Sequence, residues 1–261
     1  MGHTIVGEFP KTRPWNRVFD LLQATEVSPG LVADATVRAA GSRLSELRGD
    51  ESLTYCFWLL TRLATASRGP DFVTDTQRLG LDVQTSDHAL ALLAQINDRA
   101  RGELARFPES GPFGDIAVNA LRSSLTETLG AQNRSLFGSS VDDLASSFRR
   151  HSTASQFGEL ATRFFGAFYA QTLRYYVDRA LPAAISPIGG LRTLSDLTDF
   201  QAALDRHARD SAQIVEVYAA QWWVKHRGLH GEPISREEVR GFTAHALTKL
   251  RKELTLEGMS R

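Results

Sequence analysis

The sequence predicts an all-α protein, a helical bundle of about nine to ten helices that forms one domain or two packed lobes. Two observations predict this fold class. Signals that begin and end helices recur along the chain, such as Ser28-Pro29 ahead of one apolar stretch and Gly69-Pro70 behind the next. Strand signals, which are short alternating runs bounded by turn residues, are nearly absent.

The N-terminal half is predicted to combine an extended arm with a first helical lobe. The arm covers residues 1–14, because Pro10 and Pro14 restrict the backbone and no helical period is present. The lobe covers residues 15–130. Its predicted helices span 15–24, 29–49, 50–69, 71–79, 86–108 and 113–129.

The stretch GAQNRSLFGSS, residues 130–140, is predicted to be the loop between the lobes, because small and polar residues without a helical period are typical of loops. The second lobe then covers 140–256. Ser140 begins its first short helix, and the longest helix is predicted to start at Ser195 and to end near residue 227.

Two capping boxes are predicted in the second lobe. Thr153 with Gln156 begins one helix, and Ser235 with Glu238 begins the last helix, 236–254. In such a box the two side chains bond to each other's backbone N–H groups, so each box marks where its helix starts.

An aromatic-rich stretch, FGELATRFFGAFYAQTLRYYVDRALP at 157–182, is predicted to be a central core helix. Its rings fall on two adjacent stripes at steps of three and four, which suits a helix with neighbours on both sides. A membrane span is excluded because Arg163, Arg174 and Arg179 interrupt it, and one charge at mid-membrane costs about 2.5–3.5 kcal/mol.

The composition predicts a cytoplasmic bacterial protein. Lys+Arg and Asp+Glu both total 30, so no net charge attracts nucleic acid. Only four of the basic residues are lysines, and an Arg-rich, Ala-rich composition is typical of GC-rich bacterial genomes. The single cysteine, Cys56, excludes an internal disulfide and fits a reducing cytosol. The N-terminus lacks a signal-peptide pattern, and we expect no membrane segment.

The segment WWVKHRGLHGE, residues 222–232, is the candidate partner-binding site. Exposed Trp and Arg are typical anchors of protein interfaces, and cations at a helix C-terminus also complement the helix dipole. The extended arm is a second element suited to docking. The candidate residues are Trp222, Trp223, Lys225 and Arg227.

A histidine and a serine lie inside an apolar helical stripe. His207 and Ser211 are one turn apart on the face that also carries Phe200, Ile214 and Trp222. A general base beside a hydroxyl is one interpretation. A buried histidine bonded to a carbonyl is favoured, because no acid on that face orients the ring and no oxyanion loop is recognisable.

Four arginines form the candidate nucleic-acid-binding site. Arg149 and Arg150 end a helix, and Arg134 and Arg163 are near them in sequence. Clustered guanidinium groups recognise phosphate well, although cations at a helix end also have a structural explanation. Salt-sensitive binding is the expected signature of phosphate contacts.

The segment RGFTAH, from Arg240 to His245, is similar to the R-x4-H spacing of HEPN-type helical ribonucleases. That resemblance implies a ribonuclease in which both side chains serve catalysis. Gly241 replaces the polar residue that often follows the arginine in that family. Positions five apart lie about 140° from each other on a regular helix, so the two would have to meet across a dimer or a bent helix.

Known catalytic and cofactor motifs are absent from the sequence. It has no P-loop, no Gly-rich dinucleotide turn, no GxSxG and no ExxH pairs, and we expect neither a cofactor nor a metal. The predicted function is therefore a non-catalytic subunit or adaptor of a bacterial cytosolic multi-protein assembly, such as a defence system. Nucleic-acid binding through arginines and a HEPN-like ribonuclease are the alternatives, and a homo-oligomer is compatible with all three.

Overall fold

The computed structural model describes residues 12–84, 88–130, 140–185, 189–226 and 233–257. Every regular element in these ranges is helical, and an antiparallel bridge between His88 and Ser140 stands apart from any strand. The all-α prediction is thereby confirmed. The predicted inter-lobe loop and most of the predicted N-terminal arm lie outside the described residues.

The first half of the chain forms a series of helices joined by short turns. Short 3-10 turns follow α3, at Leu47–Gly49, and precede α7, at Pro108–Ser110. The helices are α1 Arg13–Leu22, α2 Pro29–Ala39, α3 Gly41–Glu46, α4 Glu51–Ala66, α5 Phe72–Gln77, α6 Ala89–Leu104 and α7 Pro112–Gly130.

The second half continues in the same way. Its helices are α8 Val141–Arg150, α9 Ala154–Val177, α10 Leu181–Ala184, α11 Leu194–Ser211, α12 Ile214–His226 and α13 Arg236–Glu257. There are more helices than the nine to ten predicted, because two predicted helices are each divided and the short α10 forms where no separate helix is predicted. The 29–49 helix is interrupted at Ala40, and the 195–227 helix at residues 212–213.

The helix caps confirm one predicted capping box, contradict another and correct one predicted helix start. Ser235 and Glu238 form the predicted box, with the Glu238 N–H donating to Ser235 Oγ at 3.2 Å. Thr153 makes no side-chain capping bond, so the box expected there is wrong. The long helix is capped by Thr193 rather than Ser195, because Asp196 stands three residues after Thr193 and completes a box with it.

Helix α9 occupies the centre of the bundle, as its two aromatic stripes predict. It contacts α7 from the first half and α11 and α12 from the second. Its rings are buried except that of the half-buried Tyr175, and Phe164 and Phe165 lie 5.4 and 5.1 Å from Phe57 of α4, centroid to centroid. Phe57 also stacks on Phe242 of α13 at 5.0 Å. The buried core is one cluster to which both halves contribute.

Two glycines of α9 bring α11 and α12 close to it. A Cβ at Gly158 would lie 2.6 Å from the backbone carbonyl oxygen of Glu216, and one at Gly166 would lie 3.3 Å from the Ala212 Cβ. Contacts below 3.0 Å do not occur with a real Cβ, so the absence of a side chain at Gly158 fixes how deeply α12 sits.

Candidate protein-binding surface on α12

The inner face of α12 is held firmly in the core. Val215, Ala219 and Trp223 are at most 1% exposed. The Trp223 indole stacks on Phe157 at 4.0 Å with an 11° interplanar angle, and its Nε1–H donates to the backbone carbonyl of Ser152 at 2.7 Å. This burial, together with the stacking and the hydrogen bond of Trp223, fixes the orientation of α12 about its own axis.

The outer face of α12 presents apolar side chains to solvent. Ile214 is 42% exposed, Val217 67% and Val224 54%. Together with the exposed Gln221 they follow steps of three, four and three, which places all four within about 80° of each other around the helix. We call these four residues the α12 stripe.

The α12 stripe is unusual for this chain. Six large hydrophobic residues are exposed in the described part of the chain, and three of them belong to the stripe. The other three are Leu90, Ile185 and Leu194, which belong to separate segments. Isolated exposed hydrophobics are normal on any protein, whereas a contiguous row indicates a contact surface.

Charged and aromatic groups border the α12 stripe. Asp210, near the end of α11, is exposed shortly before it in the chain, and Lys225 is exposed at its end. Along one side Tyr218 stacks on Phe242 at 5.1 Å, and its ring lies 4.3 Å from that of the exposed His245 on α13. An apolar centre with polar and aromatic margins resembles the arrangement of protein interfaces.

The predicted tryptophan anchors are not available at this surface. Trp222 is 8% exposed and Trp223 fully buried, because the helix turns both indoles toward α9 and α13. Lys225 is exposed as expected, and Arg227 lies outside the described residues. The predicted segment therefore contains the exposed cation at the end of α12. The exposed apolar side chains of this helix are those of the stripe and not the predicted tryptophans.

His207 and Ser211 do not form a base–nucleophile pair. The Ser211 hydroxyl donates to the backbone carbonyl of His207 at 2.8 Å, which is a bond within the helix turn. The His207 ring lies against Gly30 of α2, with Cε1 at 3.4 Å from a Cβ built there. Its position is that of a side chain packed between α11 and α2.

The arginines of the predicted nucleic-acid site are partly brought together. Arg149 and Arg150 are exposed at the end of α8, and Arg149 Nε donates to the Ser67 carbonyl at 2.8 Å. Arg163 of α9 donates to Thr128 Oγ1 at 2.9 Å. Arg150 and Arg163 both act electrostatically on the buried His151, whose pKa is lowered chiefly by burial. Arg134 lies outside the described residues.

Arg240 and His245 contact different neighbours. The Arg240 guanidinium binds the carboxylates of Glu51 and Glu237, the latter at 2.5 Å, whereas the His245 imidazole packs on Tyr218. Both residues belong to α13, and they point in different directions, as positions five apart on a straight helix should. Within one chain Arg240 and His245 therefore do not form a common site.

A buried carboxylate with two arginines was not foreseen from the sequence. Glu103 of α6 is 1% exposed and accepts from Arg236 at 3.0 Å, with Arg106 at 3.4 Å. The Arg236 guanidinium also lies 4.7 Å from the Tyr55 ring centroid and 5.0 Å from that of Trp58. This cluster pins the start of α13 to α4 and α6, and its buried charge is already paired.

Other site types find little support in the described ranges. No three His, Cys, Asp or Glu residues there are placed to hold a metal ion, and no described helix has the length and apolar character of a membrane span. Cys56 is buried, which raises the pKa of its thiol. A surface cavity of about 300 Å³ between α6 and α7 carries the Arg101–Asp115 ion pair and gathers no nucleophile–base pair.

Comparison with known proteins gives no relative. No protein-family model, no curated protein and no solved structure matches the chain. The feature of the structure that bears most directly on function is the α12 stripe.

The sequence contains a signal that would have identified the stripe. In IVEVYAAQWWVKH, residues 214–226, apolar residues occupy every side of the helix, so one apolar side must remain exposed unless α12 is enclosed. A single helix over 195–227 would place Ile214 on the buried face. The break at 212–213 turns it outward.

Proposed function

We propose that this protein is a non-catalytic helical subunit or adaptor that acts through protein–protein contacts made by the α12 stripe. The observation that carries the proposal is the continuous exposure of Ile214, Val217 and Val224 on a helix whose opposite face is fully packed. Membership of a bacterial cytosolic assembly, such as a defence system, is part of the same proposal.

Burial of the stripe gives a physical reason for binding. Removing apolar surface from water contributes about 25 cal/mol per Å², so a row of half-exposed aliphatic side chains supplies a useful share of an association free energy. Gly158 and Trp223 hold the inner face of α12 in place, so the backbone of this helix is already ordered before binding and little conformational entropy is lost when a partner binds.

The test is capture from the native host with tagged wild-type protein, Val217→Asp and Leu194→Asp, each with and without nuclease. Leu194 is the matched control, since it is 77% exposed and lies at the far end of α11, about 25 Å along that helix from the stripe. We expect a stoichiometric protein that is retained by wild type and Leu194→Asp, lost with Val217→Asp, and insensitive to nuclease. Equal retention by all three would contradict the proposal.

Nucleic-acid binding is a second candidate, supported by the exposed Arg149 and Arg150 beside the exposed Arg68. Phosphate contacts release counterions, so binding would weaken steeply with salt. Binding of single-stranded or duplex RNA or DNA that Arg149→Ala/Arg150→Ala abolishes, and Val217→Asp leaves unchanged, would favour this function instead.

A further inference from the structure

We propose that the partner of the α12 stripe is a second copy of this chain, whose own α12 packs against it in antiparallel orientation. This inference rests on the proposed function, because it names the partner of the same surface. The spacing of the stripe, the charges at its two ends and the length of α12 support it.

The spacing suits a helix rather than an irregular partner. Steps of three, four and three are the a and d positions of a heptad, with Ile214 and Gln221 at a and Val217 and Val224 at d. A strict a/d row is the narrow seam of two packed helices, whereas a helix that covers a globular core usually needs a wider stripe.

The charges at the ends favour an antiparallel copy. The exposed Asp210 precedes the stripe and the exposed Lys225 ends it, so reversal of a second stripe brings opposite charges together at both ends. Parallel copies would instead place like charges side by side. Antiparallel helices also align their dipoles favourably, and this effect is strongest at the termini.

The antiparallel arrangement fixes which residues meet. With the two-fold axis between Val217 and Gln221, Ile214 of one copy faces Val224 of the second, and Val217 faces Gln221. Lys225 of one copy then lies at the end of the second α12 that follows Asp210 in the chain, and its four-carbon stem extends the ammonium toward that carboxylate. Each residue of one stripe contacts one residue of the other stripe, and the same contact occurs a second time with the two copies exchanged, as two-fold symmetry requires.

The contact is small, so the dimer is expected to be weak. Helix α12 has 13 residues and is about 20 Å long, which places a single helix pair at the low end of interface sizes. We expect a dissociation constant on the order of 10–100 μM. Gln221 at an a position specifies register at some cost in affinity.

Sedimentation velocity of the purified full chain over about 5–500 μM tests the association. Wild type and Leu194→Asp are expected to pass from monomer to dimer, and Val217→Asp and Val224→Asp to remain monomeric while keeping wild-type circular dichroism and unfolding midpoints. Lys225→Glu or Asp210→Lys alone should weaken the dimer about three- to tenfold, and the double variant should recover it. Wild type that is monomeric throughout, or a double variant that does not recover, overturns the inference.

Disulfide cross-linking tests the orientation. An equimolar mixture of Val217→Cys and Gln221→Cys chains should cross-link faster than either alone, because those positions face each other across the axis. Faster cross-linking of Val217→Cys with itself would overturn the antiparallel arrangement.

A monomeric purified chain that still captures another protein through the stripe refutes the second copy but not the proposed function. A stripe-dependent dimer that captures nothing else leaves the inference standing and refutes the adaptor.

Discussion

Gly158 lies directly against the backbone of Glu216, so closely that a Cβ on the glycine would be 2.6 Å from the glutamate's carbonyl oxygen. Glu216 precedes Val217, the most exposed of the three hydrophobic residues of the α12 stripe. The same turn of α12 is therefore clamped on its inner side and open on its outer side. Because the backbone beneath the stripe is fixed, its apolar side chains cannot turn into the core and stay at the surface.

Gly158→Ala should destabilise the fold although alanine is the better helix former. The added methyl meets backbone rather than a movable side chain, and overpacking of this kind costs about 1–3 kcal/mol. After the gain in helix propensity is subtracted, chemical denaturation followed by circular dichroism should show a net loss of about 1 kcal/mol in the free energy of unfolding.

Gly241→Ala is the matched control for that substitution. Gly241 is exposed in α13, and a Cβ there meets no atom within 4 Å. The same chemical change should therefore raise the free energy of unfolding by about 0.5–1 kcal/mol through helix propensity alone. Two substitutions of equal sign would show that the close packing of α9 on α12 is not as described.

Arg236→Ala should be among the more damaging arginine substitutions. It leaves the Glu103 carboxylate, 1% exposed, with Arg106 as its one remaining ionic partner among the described residues, and breaking a buried ion pair costs about 3–5 kcal/mol. We expect a loss of about 3 kcal/mol in the free energy of unfolding.

The control for this prediction is Arg101→Ala on the same helix as Glu103. Arg101 and Asp115 are 47% and 61% exposed and lie 3.3 Å apart, and surface pairs of this kind contribute at most about 1 kcal/mol. Similar effects of Arg236→Ala and Arg101→Ala would show that the Glu103 cluster does not pin α13.

His151 predicts a loss of stability on acidification. It is 1% exposed, and burial, together with Arg163 and Arg150, lowers its pKa in the folded state against the opposing effects of the Ser147 carbonyl and Glu159. The unfolded chain therefore binds the proton more readily, so stability is fully present above about pH 6.5 and falls as the pH drops toward the folded-state pKa.

His151→Asn tests the origin of that slope. The asparagine amide can still donate to the Ser147 carbonyl, as Nδ1–H of His151 does at 2.9 Å, but it does not titrate. Unfolding midpoints measured between about pH 5 and pH 7 should vary less in the variant than in wild type. An unchanged slope would assign the pH dependence to other groups.

Local signals explain why most of the helical fold was predictable. Caps and apolar periods act within a few residues, and the Ser235–Glu238 box begins α13 as expected. The predicted start at Ser195 is wrong because Thr193, two residues earlier, is also a good capping residue. Thr193 is selected because Asp196 lies at the correct distance to bond back to its N–H.

Tertiary packing explains what the sequence did not predict. The chain between α11 and α12 contains no Gly or Pro, and the break lies beside Gly166 of α9, where a Cβ on the glycine would be 3.3 Å from the Ala212 Cβ. Trp222 and Val217 are both apolar residues of one helix, and only the position of α9 and α13 decides which is buried. A single pattern cannot distinguish the two faces of a helix that is apolar on all sides.

The most direct test of the central claim, that the α12 stripe is a contact surface, is the reactivity of a thiol placed on it. The chain's one cysteine, Cys56, is buried with a raised thiol pKa, so Val217→Cys and the control Leu194→Cys each add one reactive site. Labelling by a water-soluble maleimide would be compared between purified protein at about 1 μM and the same protein at about 500 μM in concentrated host lysate, so that either a second copy or another protein can cover the stripe. The account predicts that Val217→Cys is protected in lysate while Leu194→Cys reacts equally in both. Equal labelling at Val217→Cys in the two conditions would contradict it.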